Sequence, residues 1–222
     1  MDIGKNIQKL KNELPEGVKL VAVSKTKSNE DILAAYDTGH RIFGENKVQE
    51  LTRKQDELPK DIEWHFIGHP QSNKVKYMAP FVALIHGVDS LKLLKTINKE
   101  AKKSNRTIRC LLQFHIAEES TKFGLNEEEA IEILESEQFG HLTNVEIGGV
   151  MGMATYTDDT EQIRKEFRNL HTIFEKLKAQ YFSDRDSFCE ISMGMSDDFS
   201  IALEEGSTMI RVGSKIFGPR NY

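Results

Sequence analysis

Lys19-Leu20-Val21-Ala22-Val23-Ser24-Lys25-Thr26 sets a short apolar run directly ahead of a polar tripeptide. A run of this length without polar alternation reads as a parallel strand buried on both faces. It occupies 18–23, and further candidate strands follow at 41–43, 63–67, 82–86, 107–114, 144–149, 187–191 and 208–212. Helical segments fall between them. Asn29-Glu30-Asp31 starts one that stops at Gly39, and Ser90 suits the N-cap of 91–103, where Leu94, Ile97 and Ala101 share a face. Asn126 and three glutamates open 127–138, with acidic residues at the positive end of the helix dipole. The stripe Ile163, Phe167, Leu170, Phe174 and Leu177 marks a long helix over 159–179, and Ser196 begins a short one that stops at Gly206. Eight strands alternating with helices predict an α/β chain folded as a (β/α)8 TIM-type barrel, with an extra N-terminal helix over 2–13. An open doubly wound sheet is the structural rival, because periodicity specifies neither closure nor strand order. Without an internal repeat, low-complexity tract or linker, residues 1–222 read as a single domain.

A charged content of 29% against 38% hydrophobic residues fits one core under a well-solvated surface. The net charge of −5 argues against a general nucleic-acid binder, which needs clustered Lys and Arg. No stretch has the length of a membrane span, and Met1-Asp2-Ile3-Gly4-Lys5-Asn6 lacks a signal-peptide core, so no membrane association and a cytoplasmic location are expected. Cys110 and Cys189 lie in apolar runs without CxxC spacing and read as small buried hydrophobes.

In a parallel barrel the chemistry gathers at the carboxyl ends of the strands. Those positions hold Ser24-Lys25-Thr26, Gly44-Glu45-Asn46, His65 with Gly68-His69, His86 with Asp89, His115, and Met151-Gly152-Met153. Two late turns complete the face, Ser192-Met193-Gly194-Met195-Ser196 and Arg211-Val212-Gly213-Ser214. A strand-end lysine with its stem among apolar neighbours deprotonates more readily than a free one and can attack a carbonyl, which makes Lys25 a candidate Schiff-base lysine. The alternative is a lysine that snorkels to solvent. The late turns combine free backbone amides, hydroxyls and a helix N-terminus, a combination that binds a phosphate dianion. Ser196 as a plain N-cap is the alternative. Asp197 and Asp198 suit that alternative and must otherwise point away from a bound phosphate. Arg211 faces the same end as Lys25 if the barrel closes, or else pairs with Asp89 or Glu190. Asn46 serves the pocket or caps the helix after the second strand. His65, His86 and His115 lack a His-x-His pair and a placed acidic ligand, so they read as polar residues around a pocket, with no metal site. Lys122-Phe123-Gly124 reads as an ordinary loop.

Several ordered motifs carry a wider likeness. Val21-Ala22-Val23-Ser24-Lys25-Thr26, Phe43-Gly44-Glu45-Asn46-Lys47-Val48-Gln49-Glu50, His65-Phe66-Ile67-Gly68-His69 and Gln71-Ser72-Asn73-Lys74 come first. Ser192-Met193-Gly194-Met195-Ser196-Asp197-Asp198 and Gly206-Ser207-Thr208-Met209-Ile210-Arg211-Val212-Gly213 follow. Together, over essentially the whole chain, they resemble the pyridoxal-phosphate homeostasis protein family, a single barrel similar to the N-terminal domain of alanine racemase. The resemblance implies that Lys25 forms a Schiff base with pyridoxal 5′-phosphate, that Arg211 lies beside the pyridine nitrogen, and that Ser196, Gly213 and Ser214 surround the phosphate. It implies Asn46 at the ring side. Pro70 stands where leucine is expected and His115 where asparagine is usual. Neither falls on an implied cofactor position.

An arginine opposite the ring nitrogen keeps that nitrogen unprotonated, so the ring is a weak electron sink. This favours a non-catalytic carrier in vitamin B6 homeostasis, with PLP-dependent apo-enzymes as possible recipients. The alternative is a small amino-acid racemase or related enzyme, which needs an acid or base on each face of the substrate carbon. Lys25 serves one face. By resemblance, alanine racemases supply the other from a tyrosine of a separate domain, for which a chain ending at Arg220-Asn221-Tyr222 has no room. Tyr36, Tyr77, Tyr181 and Tyr222 fall mainly in helices and loops, and Tyr156 after the sixth strand is the least implausible substitute. No exposed apolar seam marks an obligate assembly, so a monomer is expected.

Overall fold

Eight parallel strands close on themselves in the computed structural model, which describes residues 2–118 and 123–219. Lys122 and the terminal segment 220–222, with Tyr222, lie outside the described residues. In chain order the elements are α1 (Ile3–Glu13), β1 (Lys19–Val23), α2 (Asn29–Tyr36), β2 (Ile42–Glu45), α3 (Val48–Glu57), β3 (Glu63–Phe66) and α4 (Val75–Met78). Next come β4 (Leu84–Val88), α5 (Leu91–Lys103), β5 (Ile108–Gln113), α6 (Glu127–Glu135), α7 (Glu137–Gly140) and β6 (Val145–Met151). The chain finishes through α8 (Thr160–Tyr181), β7 (Glu190–Ser192), α9 (Phe199–Glu204), β8 (Met209–Val212) and α10 (Ser214–Phe217). Closure comes from β8 pairing back on β1 in register, from Lys19 opposite Met209 to Ala22 opposite Val212. The expected barrel and its extra N-terminal helix are both present, and the open sheet is excluded.

The strands lack polar alternation because both faces are covered. Leu20 and Ala22 of β1 join the large core between the barrel and its helices, whereas Val21 points inward to pack with Leu84, Leu111, Met151 and Met209. The helices start where their caps are. Ser90 accepts from Leu93 N at 3.3 Å, Asp159 caps α8 through Glu161 N and Gln162 N at 3.1 Å, and Asn126 with Glu129 forms a capping box. All of the α8 stripe, from Ile163 to Leu177, is buried.

Some boundaries differ from the sequence expectation. The 127–138 helix breaks at Ser136, whose Oγ donates to Ile133 O at 2.7 Å and accepts from Phe139 N at 3.2 Å, starting α7. Residues 187–189 are not strand. Phe188 N donates to Arg185 O at 3.1 Å in a turn, and Cys189 is exposed rather than buried, unlike Cys110. Among the described residues, no helix is long and apolar enough to cross a membrane.

Candidate functional site

At the carboxyl ends of the strands lies a cavity of about 480 Å³, within the roughly 300–1,000 Å³ of small-molecule sites. Lys25, Asn46, Ser196, Arg211, Gly213 and Ser214 all line it, brought from β1, β2, β7 and β8 by closure of the barrel. Val23, Ile67 and Met153 add apolar wall. Neither Pro70 nor His115 lines it.

The two late turns are joined to each other. Gly194 sits at φ +96°, and a Cβ there would stand 2.7 Å from Ala202 Cβ, so the β7 turn needs glycine. Arg211 N donates to Gly194 O at 2.9 Å and Gly213 N to Ser196 Oγ at 3.4 Å. The Ser196 hydroxyl and the Gly213 amide therefore stand side by side at the cavity wall, with Ser214 opening α10 beside them. Ser196 is not the N-cap of α9. That position belongs to Asp198, whose carboxylate turns back onto Met195 N at 2.5 Å and whose pKa is raised by burial. Asp197 is exposed and is among the residues lining the cavity. Asn46 does not cap α3 either; Lys47 holds that position. The Asn46 backbone lies so close to Gly68 that a Cβ there would meet Asn46 O at 2.6 Å.

Arg211 makes no ion pair with Asp89 or Glu190. Its Nη1 donates to Ser192 O at 2.8 Å and Ser192 Oγ at 2.6 Å, and its Nη2 to Gly152 O at 3.1 Å. Glu190 instead receives Lys19 and, at 3.3 Å, Arg109 near the other end of the barrel, while Asp89 meets His69 at 3.3 Å. Burial lowers the Arg211 pKa to about 10, so it stays cationic at neutral pH. Ser192 Oγ is 2.9 Å from His86 Nδ1, and His86 Nε2 is 3.1 Å from His65 Nδ1. Arginine only donates, and desolvation keeps both imidazoles neutral, His65 at about 3 and His86 well below its usual range. The hydrogen-bond pattern therefore assigns one direction, from Arg211 through the Ser192 hydroxyl to His86 and on to His65. This buried relay was not legible in the sequence, where the histidines read as separate polar residues around a pocket. Among the described residues, no group of three or more His, Cys, Asp or Glu side chains is arranged to hold a metal ion.

Lys25 lies two residues beyond the end of β1 and is half-buried. Thr26, next to it, takes a left-handed backbone at φ 64°. A second lysine, Lys27, donates to Phe217 O at 3.0 Å and Pro219 O at 3.1 Å, tying this loop to the end of α10.

A strand-end lysine sharing one cavity with paired Ser/Gly turns at the carboxyl end of a closed parallel barrel defines the class of the protein, and the family model described as alanine racemase, N-terminal domain, matches residues 2–221. A relative from Aquifex aeolicus, named pyridoxal phosphate homeostasis protein, is 39% identical over 205 residues, covering 92% of this chain and 88% of its own. The solved structures of PipY from Synechococcus elongatus are 34% identical and cover 97% of this chain and 100% of their own, with TM-scores of 0.91 without PLP and 0.88 with PLP bound. The chain belongs to the pyridoxal phosphate homeostasis protein family.

Proposed function

We propose that this chain binds pyridoxal 5′-phosphate through a reversible covalent bond to Lys25 and serves intracellular vitamin B6 homeostasis without catalysis. The observation that carries the reading is the meeting of Lys25, Arg211 and the Ser196/Gly213/Ser214 turns at one cavity of about 480 Å³. The donor set fits the group. An amide and two hydroxyls suit a phosphate dianion, and a donor-only guanidinium suits a neutral ring nitrogen. Asn46 contributes a polar group at the ring side. When bound, the group supplies an aldehyde. Lys25 would hold the group through its amine nitrogen, whose two protons would leave with the aldehyde oxygen as water. Arg211, held by Ser192 and Gly152, keeps its proton and so withholds one from the ring.

Residues 1–222 act as one cofactor-binding domain, a cytoplasmic monomer that holds the cofactor for PLP-dependent apo-enzymes. A racemase would need a second base held on the opposite face of a substrate carbon. Tyr156 lines the cavity but is 86% exposed, a poor mount for such a base.

The test is spectroscopic. Protein incubated with pyridoxal 5′-phosphate develops a visible absorbance band that Lys25→Ala loses, and borohydride reduction leaves the adduct on the peptide containing Lys25. An adduct confined to another lysine overturns the assignment. Solvent deuterium appearing at the α-carbon of an amino acid incubated with the loaded protein would overturn the non-catalytic reading.

A further inference from the structure

Lys54 is the only lysine that is fully buried among the described residues. It lies on α3, and its Nζ donates to Glu45 Oε1 at 2.7 Å, to Glu50 Oε1 at 2.7 Å and to the Ser24 carbonyl at 2.8 Å. The same two carboxylates reach the Lys25 loop. Glu45 Oε1 accepts from Ser24 Oγ at 2.7 Å, and Glu50 Oε1 accepts from Thr26 N at 2.7 Å. Ser24 and Thr26 are the chain neighbours of Lys25 on either side. Both are gripped by one charged cluster, and Thr26 is gripped in the left-handed conformation that a non-glycine residue adopts only under constraint.

The cluster is a costly way to join a strand to a helix. Withdrawing an ammonium and a carboxylate from water carries a penalty of several kcal/mol per ion, and well-packed apolar side chains often replace such groups without loss of stability. Burial pushes the Glu45 carboxyl up, with Lys54 opposing that shift. What an apolar core could not supply is direction, because only hydrogen bonds specify where the Ser24 carbonyl and the Thr26 amide point. A lysine has a flexible four-carbon stem, so the position of its Nζ depends on how firmly its own backbone is held.

We propose that Lys54, acting with Glu45 and Glu50, is a positioning residue that holds the backbone on both sides of Lys25 and thereby sets how strongly Lys25 captures an aldehyde ligand. The proposal rests on the reading of Lys25 as the covalent attachment point. It concerns the covalent step alone. The ligand's phosphate is gripped by the β7 and β8 turns, which make no hydrogen bond to Lys54, Glu45 or Glu50. Pre-organised geometry of this kind favours bond formation without adding contacts to the ligand.

Two ligands separate a positioning role from a structural one. Pyridoxal 5′-phosphate can be captured covalently, whereas pyridoxine 5′-phosphate carries an alcohol in place of the aldehyde. Lys54→Met fills the same space without the charge. In this variant, covalent capture of pyridoxal 5′-phosphate, read by titration of the visible band, weakens by about tenfold, and the pH midpoint of that band shifts. Calorimetric affinity for pyridoxine 5′-phosphate stays within about twofold of wild type. Unchanged capture and an unmoved pH midpoint in folded Lys54→Met overturn the proposal, as does parallel weakening of both ligands, which signals general damage to the pocket. If Lys54→Met does not fold, Glu50→Ala decides. Its side chain is 18% exposed, and its removal leaves the Lys54–Glu45 pair in place while freeing Thr26 N. Slower and weaker capture with pyridoxine 5′-phosphate affinity retained supports the proposal, and wild-type capture refutes it. A wild-type protein that never develops the band removes the reading of Lys25 itself, a separate outcome.

Discussion

Ser192→Ala isolates the buried relay behind Arg211. The substitution removes one small oxygen, so it leaves almost no cavity. It deletes the Arg211 Nη1 contact to Ser192 Oγ at 2.6 Å and the contact from that oxygen to His86 Nδ1 at 2.9 Å. The guanidinium keeps Ser192 O at 2.8 Å and Gly152 O at 3.1 Å, so the loss of a charge-assisted bond is partly compensated and falls at the low end of about 1.5–3 kcal/mol. His86 is fully buried and neutral, and its Nδ1 is left without a donor, at a cost of about 1–3 kcal/mol. The expected loss is therefore about 2.5–4.5 kcal/mol in urea unfolding at neutral pH, seen as a lower midpoint at constant slope. His86→Leu completes the cycle. If the relay is continuous, Ser192→Ala costs at least about 1 kcal/mol less when His86 is already gone. A loss below about 1 kcal/mol for Ser192→Ala, or strict additivity in the double variant, refutes the relay.

Burial holds the His40 pKa at about 4, against the ordinary 6.5, so the unfolded chain takes up this proton first as pH falls. Stability attributable to His40 is complete above pH 6.5 and drops by about 1.4 kcal/mol per pH unit on the way down to pH 4. His40→Gln, which can still donate to Ile42 O, should flatten the urea midpoints across that window, and unchanged pH dependence would refute it. Thiol titration of the native protein should give one fast equivalent from exposed Cys189, with Cys110, buried and its thiol pushed up by desolvation, reacting only on unfolding; two fast equivalents contradict this. Gly194→Ala forces a Cβ to 2.7 Å from Ala202 Cβ at φ +96°, and should cost about 1–3 kcal/mol of stability and weaken pyridoxine 5′-phosphate binding through Ser196. Wild-type melting temperature and affinity would exclude that turn from the phosphate site.

The strand register was least legible where both faces are buried. Along β1, Leu20, Val21 and Ala22 look alike in the sequence, yet Val21 lines the barrel interior and its neighbours pack under the helices. At 187–191 an apolar pair, Phe188 and Cys189, extended the expected strand into what is a turn, because hydrophobicity cannot distinguish a residue packing under α8 from one in the sheet. Arg211 stands at the expected face, and the alternative of an ion pair with Asp89 or Glu190 is not the one the fold adopts. Carboxylates are the obvious partners of arginine in a sequence, whereas carbonyls and a serine hydroxyl become its partners only once β6, β7 and β8 lie side by side. Lys54 carried no signal at all, since a lysine on a polar helix reads as solvated until its surroundings are known.

The sequence by itself determined the inventory. Run lengths set eight strands and the helices between them, and strand-end chemistry set Lys25, Arg211 and the two Ser/Gly turns, because each of these is a property of a few adjacent residues. The tertiary structure alone decided that they line one cavity. Lys25 and Gly213 are far apart along the chain and meet only through the pairing of β1 with β8. The same closure buries the His65–His86–Ser192 relay, and the packing of α3 draws Lys54 onto the carbonyl of Ser24, the residue before Lys25. Hydrogen bonds between distant segments have no local signature, and here they fix Ser24 and Thr26 on either side of Lys25, at the wall of the cavity that Ser196, Gly213 and Ser214 also line.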